Sequence, residues 1–457
     1  MLRRWPPIPL GLRNISSSHL CCMSSGGLNS PRQEKRGKAK ERPIRYAARR
    51  DAYIFAYYRF LLSQKYEAEL ARLGISDNVL AYRRIPAKGG GGKCNIHFAH
   101  DAFQEVQRIQ HCCVLTLDIS SYFESLDHGR LKALWCRLIE KSDLPPDHYQ
   151  VFKAMTQYAV VDKQKVYERL GHYGEKRKSK AGNAINGYLT PHRKVPKQLC
   201  TGKQFRSMIA GAGASKSIIR RNSKPYGIPQ GAPISDLLAN LYLLDFDRLV
   251  SQWAKTMGGA YFRYSDDILL VLPGDETIGS AMMERVRDAI RTFGSKLKVK
   301  KEKTALFVFE QDGDRQKFRR AYPEGASNGL EYLGFRFDGR TVYLRDSTLS
   351  NLYRKIAVAA RREANACARR YSDKNETELR ALFPYERLVK RFGRVEQFGE
   401  LQEDYRKWTF WTYTKRAAKV FGPMGKSISR QLSKHRKNIR ARADHEIHRA
   451  VERRSRA

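Results

Sequence analysis

The sequence lacks any apolar stretch approaching the roughly 20 residues that a membrane-spanning helix needs. Its 8 cysteines include no C-x-x-C pair, which disfavours a zinc site and favours free thiols in a reducing cytoplasm. Acidic residues are scarce, since 46 Asp and Glu face 87 Lys and Arg and the formal net charge is +41. So large an excess predicts a polyanionic partner.

Membranes and nucleic acids are both polyanions, and the aromatic content favours nucleic acid. The chain contains 24 Tyr, 20 Phe and 5 Trp, interleaved with the basic residues rather than placed on one amphipathic segment. Basic residues for phosphates combined with rings for base stacking are typical of nucleic-acid-binding proteins. The length of 457 residues predicts two to four domains or lobes.

The N-terminal residues 1–42 form a basic tail that we expect to be disordered in isolation. The first 33 residues contain no acid, and residues 31–42 include six Lys or Arg. A transit peptide and a nucleic-acid-binding leader both stay open, although the proline-rich WPPIP at 5–9 disfavours an amphipathic targeting helix.

Two local patterns place acids at the ends of strands. The run VLTLDI at 114–119 predicts a strand with Asp118 near its carboxyl end. Apolar runs at 260–264 and 268–272 predict a hairpin with Asp266 and Asp267 at its tip. Three acids gathered at one sheet edge repel unless divalent cations neutralise them, although each acid taken singly is more typical of a cap or a surface ion pair.

Oxygen ligands of this kind suit Mg²⁺ or Mn²⁺, and two such ions support phosphoryl transfer. Further along the chain, residues 162–222 carry 15 Lys or Arg against 3 acids, which predicts a basic insertion. Residues 351–457 are helical in pattern and carry 28 Lys or Arg against 12 acids. The glycine run at 89–92, flanked by Lys88 and Lys93, is either a linker or a phosphate-binding loop.

Three motifs carry a resemblance to a known family. LDISSYF at 117–123, GIPQGAPIS at 227–235 and YSDD at 264–267 resemble the reverse transcriptase motifs in their family order. The resemblance implies an α/β (α+β) right-hand polymerase. Its parts would be fingers at 43–117, a ferredoxin-like palm at 118–345 that contains the basic insertion, and an all-helical, basic thumb at 346–457.

The resemblance also implies roles for individual residues. Two Mg²⁺ ions would be held by Asp118, the carbonyl of Ile119, Asp266 and Asp267. Phe123 would exclude a ribose 2′-hydroxyl, so that deoxynucleotides are used. Substrate binding would further involve Gln230, Gly231, Arg84, Lys88 and Lys93. Lys303 would lie beside the leaving pyrophosphate, and the primer grip would be Leu333 and Gly334.

Departures from the family are small. Asp236 stands where the family often has Pro, and Ser265 stands where it often has Ala or Met. Among reverse transcriptases, AYRRIP at 81–86 and NIHFA at 95–99 most resemble the bacterial defence-associated and abortive-infection group, which is related to group II intron enzymes. This implies a bacterial cytoplasmic protein that works with an RNA template or a structured noncoding RNA, dNTPs and a DNA product, and without a membrane.

Several alternatives stay open. One is a group II intron-type enzyme or maturase that binds intron RNA, and another is template-independent or protein-primed DNA synthesis. The intact Asp residues disfavour a non-catalytic RNA-binding protein, and Phe123 disfavours an RNA polymerase. Homo-oligomer formation is undecided.

The basic insertion is a candidate RNA-binding surface, with contacts expected from Lys176, Arg177, Lys178 and Lys180. The last helix contains His435, His445 and His448, which we interpret as solvated histidines rather than a metal site.

Overall fold

A five-stranded sheet lies at the centre of the chain. The computed structural model describes residues 19–24, 43–87, 90–178, 182–191, 194–196, 198–213, 216–393 and 410–455. The sheet has the spatial order β11-β10-β3-β9-β8, and all neighbouring strands run antiparallel. Its strands are β3 (Cys112–Asp118), β8 (Ala260–Tyr264), β9 (Asp267–Pro273), β10 (Ala305–Asp312) and β11 (Arg315–Tyr322).

Four of these strands have ferredoxin-like topology. Strands β3, β8, β9 and β10, taken as first to fourth along the chain, occupy the spatial order fourth, first, third, second. The long connection between the first two strands ends in helices α7 (Ser235–Tyr242) and α8 (Leu244–Thr256), and α9 (Glu276–Thr292) connects the last two strands. This is the βαββαβ arrangement of the ferredoxin-like fold.

The inner strands β3 and β9 are apolar along most of their length because both faces of the sheet are covered there. Cys113, Leu115 and Leu117 of β3 join one apolar core. Cys112 and Val114, which point to the opposite face, join another. Side chains alternate between faces along a strand, so a sheet covered on both sides needs apolar residues at every position.

Helices cover the two faces. Helices α8 and α9 contact one face, and α2 contacts the other. The helices that precede β8 are α1 (Arg49–Arg72), α2 (Asn95–Ile109), α3 (His128–Leu138), α4 (Pro146–Thr156), α5 (Lys163–Arg169) and α6 (Gly202–Gln204), besides α7 and α8. A 3₁₀ turn, Tyr122–Glu124, follows β3.

A second sheet joins distant segments in the order β2-β1-β4-β7. Its strands are β1 (His19–Ser24), β2 (Pro43–Tyr46), β4 (Ala159–Asp162) and β7 (Ile219–Arg221). Strand β1 lies within the basic tail at 1–42, and its backbone pairs with β2 and β4. The rest of the tail, residues 1–18 and 25–42, lies outside the described residues.

The basic insertion has a small core of its own. Strands β5 (Tyr173–Lys178) and β6 (Ala184–Tyr188) form an antiparallel ribbon. Val161, Val166, Tyr167 and Ile209 are buried together beside it. The described part of residues 162–222 is therefore a folded unit that exposes basic residues.

The C-terminal part of the chain is helical in its described residues. Helices α10, α11, α12 and α15 share a separate apolar core, whereas α13 and α14 contribute to the core beneath the small sheet of β12, β13 and β14. The helices are α10 (Asp346–Arg370), α11 (Glu376–Leu382), α12 (Tyr385–Gly393), α13 (Phe410–Phe421), α14 (Lys426–Gln431) and α15 (His435–Ser455). The strands are β12 (Leu330–Tyr332), β13 (Phe335–Phe337) and β14 (Val342–Leu344).

The predicted mixture of helices and strands is confirmed, whereas the assignment of fingers, palm and thumb stays a prediction. No helix in the described ranges is long and apolar enough to cross a membrane. The six cysteines whose side chains are described are free thiols, and four of them are buried: Cys112, Cys113, Cys136 and Cys367.

A fully buried ion pair lies beneath the hairpin of β8 and β9. The guanidinium of Arg263 donates two hydrogen bonds of 2.6 Å to Asp247 on α8, and both side chains are 0% exposed. A further nitrogen of Arg263 donates to the carbonyl of Ser265, at 3.0 Å, and to Asn240. Tyr261 donates to the same Asp247 carboxylate at 2.6 Å. The charges are satisfied only while all these partners are in place.

We expect Arg263→Met to lower the free energy of unfolding by about 3–5 kcal/mol, because it leaves the Asp247 carboxylate buried without a counter-charge. The double variant Arg263→Met, Asp247→Leu should recover much of this loss, since an apolar pair needs no desolvation of charge. Urea denaturation measures both changes. Arg72→Met, at an exposed arginine on α1, is the control and should have little effect. A double variant no more stable than the single one would contradict this account.

Candidate catalytic site

The sheet register brings two of the predicted aspartates face to face. Asp118, the last residue of β3, lies directly opposite Asp267, the first residue of β9. The backbone nitrogen of Ile119 donates to the carbonyl of Asp266 at 3.0 Å, which extends the pairing into the turn. Directly opposed residues of antiparallel strands have neighbouring side chains. The predicted hairpin with an Asp pair at its tip is therefore confirmed.

The turn that carries Asp266 is tight. Ser265 and Asp266 alone separate the paired residues Tyr264 and Asp267. Ser265 has a φ of 61°, a left-handed conformation that is rare for residues other than glycine, Asn and Asp. Hydrogen bonds from Arg263 to the Ser265 carbonyl, at 3.0 Å, and from Tyr82 to its hydroxyl, at 3.2 Å, hold this conformation. These contacts fix the backbone conformation of the turn, and they therefore fix the positions from which the Asp266 and Asp267 side chains extend.

Two lysines neutralise Asp118. Its carboxylate is nearly buried and accepts hydrogen bonds from Lys300 at 2.6 Å and from Lys303 at 2.5 Å. Burial by itself raises the pKa of Asp118, but the two ammonium groups outweigh it and hold the pKa below its usual value. Lys303 was predicted beside a leaving pyrophosphate, and here its ammonium group lies on Asp118. Sequence reasoning missed Lys300, although it lies in the same KKEKT run.

The pKa of Asp267 is shifted in the opposite direction from that of Asp118. Desolvation, followed by the negative charges of Asp266 and Asp118, raises the pKa of Asp267 to about 6. A raised carboxyl pKa shows that further positive charge near Asp267 would be stabilising. Among the described residues, however, no three or more His, Cys, Asp or Glu side chains are arranged to hold a metal ion. The oxygen donors suit a divalent cation, and ligation by all three carboxylates would need their side chains to reorient.

The loop at 227–231 packs beside this site. The nitrogen of Ile228 donates to the carbonyl of Phe123 at 2.8 Å, and the nitrogen of Gly227 donates to Leu126 at 2.7 Å. Phe123 itself is 9% exposed, within the 3₁₀ turn that follows Asp118. The predicted sugar-excluding residue is thus bonded through its backbone to the predicted nucleotide-binding loop.

Strand β2 covers the other side of the loop. The nitrogen of Arg45 donates to the carbonyl of Gln230 at 2.8 Å. Gly231 has a φ of 111°, and a Cβ at this position would lie 2.7 Å from the Arg45 carbonyl oxygen. Only glycine fits so close an approach with such a backbone conformation. The predicted pair Gln230 and Gly231 is therefore held in place by backbone contacts as well as by its sequence.

The basic residues predicted to hold the triphosphate differ in their surroundings. Arg84 is exposed. Lys93 forms an ion pair of 2.7 Å with Asp101 on α2, which would have to open before Lys93 could bind a phosphate. Lys88 lies outside the described residues. The hydrogen bond between Tyr82 and Ser265 joins this segment to the turn that carries Asp266.

The predicted primer-grip residues form the turn between β12 and β13. Leu333 and Gly334 have φ values of 46° and 93°, as in the type I′ turns of two-residue hairpins. A cleft of about 540 Å³ reaches from this hairpin to the aspartates, with Asp118, Asp267, Lys303, Leu333, Arg336 and Arg345 among its lining residues. The structure thus places the hairpin and the carboxylates along one cleft.

Three of the four predicted RNA-binding residues belong to strand β5 of the insertion. Lys176 and Arg177 are exposed on β5. Lys178 ends that strand, and its side chain lies outside the described part of the structure, as does Lys180.

The C-terminal histidines include one that was wrongly interpreted as solvated. His435 is fully buried, stacks on Trp411 and contacts the carbonyl of Phe392 at 3.0 Å. The Nε2 atom thus has a partner, and the stacking on Trp411 packs the ring into the core, although Nδ1 is buried without a hydrogen bond. His448 is exposed and contacts Glu376 at 2.8 Å.

Comparison with known structures found telomerases. The chain is similar to a C-terminally truncated telomerase of Candida tropicalis and to the telomerase of Candida albicans in complex with the TWJ fragment of telomeric RNA, each at 11% identity. The matches cover 67% and 94% of this chain and 52% and 62% of the telomerase chains, with TM-scores of 0.40 and 0.41. This chain thus covers less than two thirds of the length of either telomerase. No curated protein matches the chain.

Part of the chain matches a known protein family. Residues 192–337 match the family described as reverse transcriptase (RNA-dependent DNA polymerase). The match includes Gln230, Asp266, Asp267 and Lys303, whereas Asp118 lies before it and joins the site through the pairing of β3 with β9. The proteins that this family describes are RNA-dependent DNA polymerases, which are nucleotidyltransferases. Residues 192–337 are therefore similar to part of a reverse transcriptase.

Proposed function

We propose that the protein is an RNA-directed DNA polymerase that joins deoxynucleotides at the edge of the central sheet where Asp118, Asp266 and Asp267 lie. The observation that carries this proposal is the direct pairing of Asp118 with Asp267 next to a segment that matches reverse transcriptases. The ribose of the incoming nucleotide would lie against Phe123 and its base beside Gln230 and Gly231. The primer would approach along the cleft that ends at Leu333 and Gly334.

Two Mg²⁺ ions, or Mn²⁺ in their place, would be held by Asp118, Asp266, Asp267 and the carbonyl of Ile119. When bound, such ions lower the pKa of an attacking hydroxyl and stabilise the charge on a leaving oxygen. The raised pKa of Asp267 supports this proposal, because the carboxylates carry more negative charge than Lys300 and Lys303 neutralise. For a metal to bind Asp118, Lys300 and Lys303 would have to release their hydrogen bonds to its carboxylate oxygens. Released from Asp118, Lys303 could then contact a pyrophosphate in the cleft that it lines.

The protein would work with a structured noncoding RNA in bacterial antiviral defence, in the cytoplasm. This assignment rests on the resemblance of AYRRIP at 81–86 and NIHFA at 95–99. The alternative of a group II intron-type enzyme is favoured by IPQG at 228–231 and LANLY at 238–242. Sequencing of the nucleic acid that copurifies with the protein separates the two, because one predicts a noncoding RNA with its DNA copy and the other predicts intron RNA.

We expect Asp118→Asn and Asp266→Asn each to abolish divalent-metal-dependent incorporation of dNTPs. Each change removes the charge of a metal ligand while it leaves the side-chain size nearly unchanged. Primer extension measures the loss, and RNA binding, measured in parallel as the control, should survive because it depends on the basic surfaces. Full polymerisation by the double variant Asp266→Asn, Asp267→Asn would contradict the assignment of the site.

Phe123→Ala should relax the discrimination between deoxynucleotides and ribonucleotides. Deleting the ring opens space for a 2′-hydroxyl, and a modest loss of rate should accompany the change because Phe123 is also part of the core. The measurement is the ratio of kcat/KM for dNTP to that for NTP. Phe123→Leu keeps an apolar side chain and serves as the intermediate control. An unchanged ratio in Phe123→Ala would show that another residue selects the sugar.

The basic insertion is proposed to hold the structured RNA. Replacing Lys176, Arg177, Lys178 and Lys180 with Gln should make the salt dependence of RNA binding shallower, by roughly 0.7 units per lost phosphate contact on a single strand and 0.9 on a duplex. Copurifying RNA should fall, while extension of a supplied primer should continue. An unchanged slope with unchanged RNA recovery would indicate that the ribbon is only a solvated basic surface.

A further inference from the structure

A second cleft, of about 720 Å³, lies between the C-terminal part of α4 and the segment that follows β7. Its wall includes Lys153, Tyr158, Arg221, Asn222 and Lys224, and no lining residue is Asp or Glu. Neither Asp118 nor Asp267 belongs to the lining, so this cleft is separate from the one that contains the aspartates.

The cations of this cleft are not neutralised by acids. Lys153, Arg221 and Lys224 are exposed, and within the described ranges none of them forms an ion pair with a carboxylate. The ammonium groups of Lys224 and Lys296 each lie 5.5 Å from the centre of the Tyr226 ring. Positive charge without a local counter-charge, beside an aromatic ring, is the chemistry that binds a phosphodiester strand and its bases.

Another cleft shows that a basic sequence alone does not leave the cations of a cleft without acidic partners. That cleft, of about 600 Å³, is lined by Glu69, Glu140 and Asp245 as well as by basic residues. Two of its three arginines are paired, Arg72 with Glu69 at 2.7 Å and Arg137 with Asp245 at 2.7 Å. Acids therefore neutralise part of its positive charge, whereas the lining of the 720 Å³ cleft contains no acid.

The wall of the cleft is held in a fixed conformation. Asn222 donates to the carbonyls of Thr156 at 2.9 Å and Tyr226 at 3.2 Å. The backbone nitrogen of His128 donates to Pro225 at 3.0 Å, and its ring contacts the carbonyl of Gly227 at 2.8 Å. The wall continues directly into the loop at 227–231. A strand bound in this cleft would therefore lie next to the predicted nucleotide-binding loop.

We propose that this cleft binds the phosphodiester backbone of a single-stranded RNA, with contacts to phosphates from Lys153, Arg221 and Lys224. The identification of this strand as the template rests on the proposed function, whereas its binding does not. Exposed lysine and arginine supply the charge, and the fixed wall lets them act together at little cost in conformational freedom.

The test replaces Lys153, Arg221 and Lys224 together with Gln in the full chain. Fluorescence anisotropy of a short labelled single-stranded RNA, without dNTPs, gives the binding constant across a salt series. The loss of three phosphate contacts should make the slope of log K against log salt shallower by about two units and weaken binding at low salt. Because no nucleotide is present, a protein that fails to polymerise DNA still gives a readable result.

Two control variants separate the position of the charge from its amount. Lys65→Gln, Lys141→Gln and Arg248→Gln together remove the same charge from exposed positions outside the cleft and should leave the slope nearly unchanged. Lys153→Arg, Arg221→Lys and Lys224→Arg together keep the charge and should restore the slope. Equal changes in the cleft variant and the outside variant would overturn the proposal. Displacement of the RNA by inorganic phosphate at constant ionic strength would also overturn it, because it would indicate a site for small anions.

Discussion

The buried pair of Arg263 and Asp247 is the interaction on which the arrangement of the site depends. An arginine that is 0% exposed is tolerated only when its donors are satisfied, and here they bind Asp247, Asn240 and the carbonyl of Ser265. The backbone of Arg263 also accepts a hydrogen bond from Leu80 and donates one to Asn78. One residue therefore joins the aspartate turn, helices α7 and α8, and the segment before Arg84. A change in any of these would move the carboxylates.

The site is rich in acidic side chains, whereas the chain as a whole is strongly basic. In a protein of net charge +41, three acids lie close together at one sheet edge. The pKa of Asp118 is lowered, despite its burial, because Lys300 and Lys303 contact its carboxylate, whereas the pKa of Asp267 rises to about 6 through desolvation and its neighbouring carboxylates. Two lysines cannot neutralise the charge of three carboxylates, and both contact Asp118. This imbalance is the physical reason to expect cations at the site.

The positive charge of the chain is not spread evenly over its surfaces. Many basic residues form ion pairs with nearby acids, such as Arg137 with Asp245. Others, such as Lys153, Arg221 and Lys224 around the 720 Å³ cleft, have no acidic neighbour in the cleft lining. Polyanion binding is therefore expected at this cleft rather than at surfaces where acids neutralise the cations.

The sequence by itself determined the local parts of the site. It placed Asp118 at the end of a strand and Asp266 and Asp267 at a hairpin tip, because strand and turn patterns depend on adjacent residues. Only the tertiary structure decided that Lys300 contacts Asp118, 182 residues away, that β2 packs on Gly231, and that part of the N-terminal tail is a strand. Such contacts leave no local pattern in a basic chain with many lysines, since the partner is chosen by the packing of distant segments.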